Sequence, residues 1–207
     1  MTKRSHLLAV SLTAMLALPA AAAAQDEVAS SPLPEASPVA ADQRLAQLEM
    51  LVPEYFAGLP LRENMQSAPG ELLASRMDGD ERAVFEAMLE NAGKSIADYA
   101  AASVPVRIDE ANAIVIQPHR VTGIDAVATL DSWIEILRLN AERPVVERTR
   151  IAGQDVVLVS DDARPDFPLL HVFASGDVVW MVVAEDPAVI AEAVRTFGEP
   201  DTTGTAP

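Results

Sequence analysis

The chain has 207 residues and no cysteine, and its 31 acidic against 15 basic residues leave a formal charge of −16. The missing cysteines exclude a disulfide scaffold, a thiolate metal site, a cysteine nucleophile and lipid attachment at an N-terminal cysteine. The acidic balance argues against nucleic acid, which needs a dense basic surface, and a hydrophobic content of 50% is too high for a fully disordered chain.

Reading from the N-terminus, Lys3 and Arg4 precede an apolar run from Leu7 to Leu18, then Pro19 and five alanines, Ala20 to Ala24. This is the three-part pattern of a secretory signal peptide spanning residues 1–24, with cleavage expected after Ala24. Cleavage would remove Lys3, Arg4, His6 and no acid, taking the net charge from −16 to −18. Lys94 would remain as the only lysine, and His119 and His171 as the only imidazoles. Residues 25–41, with Pro32, Pro34 and Pro38 among small polar residues, read as a tether. Residues 42–198 read as a single domain, and 199–207 as a flexible tail.

Within that domain a first helix is expected from Asp42 as N-cap, because Leu45, Leu48 and Val52 recur at helical spacing before Pro53. Leu59 to Met65 reads as a short strand and Gly70 to Met77 as a brief helix. Asp78 and Glu81 have capping-box spacing and open a helix that Gly93 stops. Ser95 to Ala102 suits either a helical turn or a strand. Val104, Val106 and Ile108 then alternate as a strand, and Ala113 to Val121 returns as its partner, with Pro118 suggesting a sheet edge. After Gly123, the residues Val127, Leu130, Ile134 and Leu137 form one helical stripe that Pro144 closes. Four strands follow, at about 145–152, 155–160, 169–174 and 177–184. Their expected turns are Gly153-Gln154, the acidic segment Asp161 to Asp166, and Ser175-Gly176. Asp186, Pro187 and Gly198 mark the ends of a last helix buried through Ile190, Val194 and Phe197.

Strands joined by short hairpins, with helices before and after, predict an α+β fold. Its antiparallel sheet should have about six strands, with helices packed on one or both faces. The order of elements is similar to that of the Mog1/PsbP-like α/β/α sandwiches. The likeness is one of order and assigns no site residues.

Chemistry-bearing motifs are few. Neither histidine has a second histidine at ligand spacing, so a two-His, one-carboxylate metal site would require their strands to meet. Asp161, Asp162 and Asp166 crowd one loop without the spacing of a calcium site, and Arg164 lies among them. The run Asp78-Gly79-Asp80 starts like a calcium loop, but Leu89 stands where the bidentate glutamate is needed. No nucleophile elbow and no glycine-rich phosphate loop is present. Ser175, Asp177 and His171 make a triad by composition only.

Arginine offers a more specific signal. Arg138, Arg143, Arg148 and Arg150 cluster in sequence, and Arg148 and Arg150 share a strand face by period-two alternation. Two guanidiniums on one face suit bidentate binding of a carboxylate, phosphate or sulfated group. Arg120, Arg148, Arg150 and His119 are therefore the candidate ligand-binding residues. No catalytic residue, metal site or cofactor is assigned.

The expected protein is an exported, acidic, soluble domain of the periplasm or the extracellular space, more a binding or envelope-associated protein than an enzyme. Its partner would be a protein or small ligand of the cell envelope, with no nucleic acid and no membrane insertion after cleavage. The alternatives are an exported hydrolase using carboxylates or a two-His metal site, and a carrier of a small apolar ligand.

Overall fold

A computed structural model describes residues 38–109 and 112–198. The expected signal segment 1–24, most of the expected tether and the expected tail 199–207 lie outside the described residues. The first helix, α1 (Pro38–Leu51), starts four residues before the expected Asp42 cap. Proline is tolerated in a first helical turn, where its missing N–H has no partner to lose, and the alanines that follow are strong helix formers.

A two-residue hairpin follows, β1 (Tyr55–Phe56) and β2 (Leu59–Pro60), turning through Ala57 and Gly58 at positive φ. Of the strand expected at Leu59 to Met65 only Leu59–Pro60 is extended, and Arg62–Asn64 forms a turn of 3-10 helix instead. A separate strand, β3 (Gln66–Pro69), joins the main sheet. Next come α2 (Gly70–Ala74) and α3 (Gly79–Asn91). The capping box is present: Asp78 accepts from the backbone of Asp80 and Glu81, and Glu81 Oε2 accepts from Asp78 N at 3.0 Å. Past the end of α3, Gly93 N donates to Glu90 O and Lys94 N to Leu89 O, the paired bonds of a Schellman motif, with Gly93 at φ 67°.

The sheet is antiparallel throughout. Its strands are β3, β4 (Tyr99–Arg107), β5 (Ala113–Val121), β6 (Pro144–Ile151), β7 (Gln154–Asp161), β8 (Leu170–Ser175) and β9 (Val178–Ala184). Their spatial order is β3-β4-β5-β9-β8-β7-β6, seven strands where about six were expected. The added strand is β3, whose sequence Gln-Ser-Ala-Pro carries no alternating apolar signal. The hairpin turns are Ala152-Gly153 and Gly176-Asp177, each offset by one residue from the expected pair.

Pro118 does not mark an edge. β5 runs through the middle of the sheet, between β4 and β9. Its ladder to β9 is unbroken through Pro118 opposite Trp180. The ladder to β4 lapses between Ala101–His119 and Val104–Ile116, then resumes in the same register. The lost N–H is thereby absorbed as a local gap rather than by moving the strand outward.

Helices cover both faces. On one face, Ile190, Val194 and Phe197 of α5 (Pro187–Gly198) join Val104, Ile116, Phe173, Trp180 and Val182 in the main core. Leu48 of α1 packs on Ala100 and Ala102 of the same face, where small side chains let the helix approach. On the other face lie α3 and α4 (Ala126–Leu139), whose Phe85 and Trp133 contact Tyr99. Asp125 caps α4 by accepting from Val127 N at 2.9 Å. The stripe expected there is rotated: Val127 is 69% exposed, while Ala126, Thr129, Trp133 and Ile136 are buried beside Ile134 and Leu137. Trp133, the largest side chain on the helix, sets the inward direction. Among the described residues no helix is long and apolar enough to cross a membrane.

The start of α2 is a close backbone crossing. A Cβ built on Gly70 would lie 2.0 Å from Ile96 O, a backbone atom that cannot rotate aside. Gly70→Ala should therefore cost about 1–3 kcal/mol of stability, the usual cost of overpacking. Chemical denaturation of the two proteins checks this, and an unchanged midpoint would contradict the close crossing.

Candidate functional site

β6 is an edge strand of the sheet, the one at the opposite end from β3; it lies opposite β7 along its whole length, and its residues Val146 to Arg150 are all exposed. Arg148 and Arg150 do share one face, the face of α4. Arg148 Nη2 reaches Asp131 Oδ1 on α4 at 2.8 Å, and Arg150 bonds Asp155, its cross-strand neighbour, at 3.0–3.1 Å. These pairs are open to water, with the arginine side chains 67% and 69% exposed and the aspartates 86% and 85%. Ion pairs so exposed contribute little stability and exchange readily with another anion. Arg138 pairs with Glu135 within α4 at 3.0 Å.

The other two candidates are elsewhere. His119 and Arg120 are consecutive on β5 and so point to opposite faces, and β9, β8 and β7 separate them from β6. Arg120 donates to Asp177 Oδ2 at 2.7 Å and to Gln47 Oε1 at 3.2 Å, with only 15% of its side chain exposed. It ties α1 to the β8–β9 turn, so its charge is committed to the fold. The four candidates therefore do not form one site. Only Arg148 and Arg150 stand together.

His119 sits in an aromatic cluster. Its Nδ1 is 2.6 Å from the Tyr99 hydroxyl, and its ring lies 4.6 Å from Trp133, with Phe85 completing the group against Tyr99 and Trp133. Nε2 is buried without a hydrogen-bond partner. Burial lowers the imidazole to about 3 and pushes the Tyr99 phenol up. His171 is buried, and its Nδ1 also lacks a partner. Burial lowers it too, against smaller opposing hydrogen bonds involving the Val182 and Leu169 backbone.

The two histidines occupy opposite faces. His171 stands opposite Val182 of the α5-side core, whereas His119 touches Trp133 of α4. A shared metal ion is thereby ruled out for them. His171 is buried rather than half-exposed as a plain strand position would suggest, whereas His119 is half-buried.

The acidic loop after β7 is structural. Asp161 accepts from Glu142 N at 2.8 Å, Arg143 N at 3.0 Å, Ala163 N at 2.9 Å and Arg164 Nε at 2.6 Å. Burial opposes its ionisation, but the Arg164 contact and the three backbone donors outweigh it and hold the carboxyl well below the usual carboxylate range. Arg164 also donates to Asn140 O and lies 5.0 Å over the Phe167 ring. Asp161 thus joins the α4–β6 connection to the β7–β8 loop. The signal that sequence reading missed is the run Asp161-Asp-Ala-Arg164, in which the arginine answers the first aspartate. Among the described residues no group of three or more histidines, aspartates or glutamates is arranged to hold a metal ion.

No family model, curated protein or solved structure matches the chain.

Burial of neutral histidines makes stability depend on pH. An imidazole at about 3 in the folded state and 6.5 when unfolded lets the unfolded chain bind the extra proton. Stability is then full above pH 6.5 and falls progressively as pH drops toward 3. Between pH 6.5 and 5 the loss should be about 2 kcal/mol for His119. Urea unfolding at those two pH values should show a shallower drop in His119→Gln than in the parent. Equal slopes would contradict a neutral His119 in the folded state.

Proposed function

We propose that this chain is an exported, non-enzymatic binding domain whose contact surface is the arginine-bearing face of β6, and that its partner is an anionic protein or ligand of the cell envelope. The observation that carries the reading is the pair Arg148 and Arg150. They are two guanidiniums on one face of the edge strand β6, each about two-thirds exposed and held by exposed aspartates. In a chain of net charge −16 such a pair is a local exception. It suits recognition of carboxylates or phosphates, for which arginine supplies planar, bidentate donors.

The reading of a binding domain rather than a hydrolase draws support from the imidazoles. They lie on opposite faces, His171 buried and His119 half-buried, and each leaves one enclosed ring nitrogen without a partner, where a triad histidine bonds both its serine and its aspartate. Export rests on the N-terminal pattern of Lys3, Arg4, the Leu7–Leu18 run and the alanines at 20–24. The periplasm or the extracellular space follows as the place of action.

The test is calorimetric titration with polyglutamate of about ten residues at low salt, where surface charges are least screened. The parent protein should bind, with affinity falling as salt is added. Arg148→Glu combined with Arg150→Glu should abolish binding while leaving the unfolding midpoint almost unchanged, because exposed pairs contribute at most about 1 kcal/mol each. Undiminished binding by the double variant would remove the arginine pair from the function.

A further inference from the structure

The β6–β7 hairpin fixes which backbone groups of β6 are free. Its closing pair is Ile151–Gln154, and both loop residues, Ala152 and Gly153, have positive φ, 49° and 90°. A two-residue loop of this kind is closed by a hydrogen-bonded pair, and pair types alternate along an antiparallel ladder. Thr149, Glu147 and Val145 therefore turn their N–H and C=O toward β7. Val146, Arg148 and Arg150 turn theirs outward, where among the described residues no strand follows β6. The same three residues share the side-chain row that carries the two arginines. Free backbone donors and guanidiniums thus repeat along one edge with the same spacing.

From this we infer that β6 takes up an extended acidic protein segment as an additional antiparallel strand. The inference deepens the binding reading above and rests on it. The strand is suited to pairing: Val145, Val146, Thr149 and Ile151 are β-branched, and the run of eight residues is regular from end to end. In strand addition the backbone bonds supply affinity and the alternate side chains supply selectivity. A segment with glutamate or aspartate at every second residue would set its carboxylates opposite Arg148 and Arg150, where opposite charges across a pair are favourable.

A second copy of the chain fits worse. Two copies joined edge to edge by a two-fold axis keep their faces aligned, so only residues of the same row oppose each other. The two registers that overlap most of the strand then set either Glu147 or Arg148 directly against its own copy, and like charges so placed are destabilising.

The test uses a nine-residue peptide alternating glutamate with valine, titrated into the full chain. A second peptide of the same sequence is N-methylated at every second residue on the edge that would face β6. A third measurement uses Val146→Pro, which removes one outward N–H, keeps both arginines and leaves the β7 ladder intact. N-methylation should weaken binding by at least about tenfold, and Val146→Pro by about three- to tenfold, from the loss of backbone hydrogen bonds. Because N-methylation leaves the protein untouched, it decides the matter even if Val146→Pro fails to fold. Equal binding of both peptides, with loss in the Arg148→Glu and Arg150→Glu double variant, overturns strand addition and leaves the arginine surface standing. No binding of either peptide by the parent overturns both. A concentration-dependent dimer in sedimentation that Val146→Pro dissolves would assign the edge to a second copy, and overturns the acidic partner.

Discussion

β9 lies between β5 and β8 with Val178 to Met181 and Val182 buried on both of its faces, and this two-sided burial governs the rest of the molecule. A strand buried on both faces must be apolar at every position. Its neighbours then commit alternate residues to one helix layer or the other. On one side Ile116, Phe173 and Trp180 pack with α5; on the other Tyr99 meets α3 and α4, and His119 meets α4. Polar chemistry has little room in such a sheet except at its margins. Among the described residues the edge strand β6, reached only after β8 and β7, is the one long strand whose middle stays exposed on both faces.

That constraint also explains where polar residues inside the fold went. Arg120 reaches out at the β8–β9 turn to Asp177 and Gln47, and Asp161 gathers three backbone donors and Arg164 where β7 ends. Both charges hold chain segments together. His119 and His171 are instead enclosed in neutral form, each leaving one ring nitrogen without a partner. An unpaired buried nitrogen carries a desolvation cost of about 1–3 kcal/mol, which the surrounding aromatic and aliphatic packing must offset.

Much of the architecture was legible from residue pattern. The four strands after α4, the caps of α3 and α5, and the α+β class follow from alternation, Asp caps and glycine stops, which are local signals. The misses have non-local causes. β3 is a strand because β4 offers it an edge, and nothing in Gln66 to Pro69 announces that. Pro118 lies mid-sheet because β9 pairs past it. The direction of α4 depends on Trp133 meeting Tyr99 and His119, residues distant in sequence. For the site, alternation correctly put Arg148 and Arg150 on one face. The same rule, applied to His119 and Arg120, separates them, since consecutive strand residues cannot share a face. The distance between β5 and β6 was not readable, because strand order is a property of the whole sheet.

The central claim is that β6 presents free backbone groups at Val146, Arg148 and Arg150 beside its arginines. Amide hydrogen exchange on the free protein, followed residue by residue by NMR, tests it most directly. The account predicts an alternating pattern along β6: slow exchange at Val145, Glu147 and Thr149, and fast exchange at Val146, Arg148 and Arg150. Uniformly slow exchange would mean that the edge is already covered, and uniformly fast exchange that β6 is not held on the sheet. Either result would contradict the account.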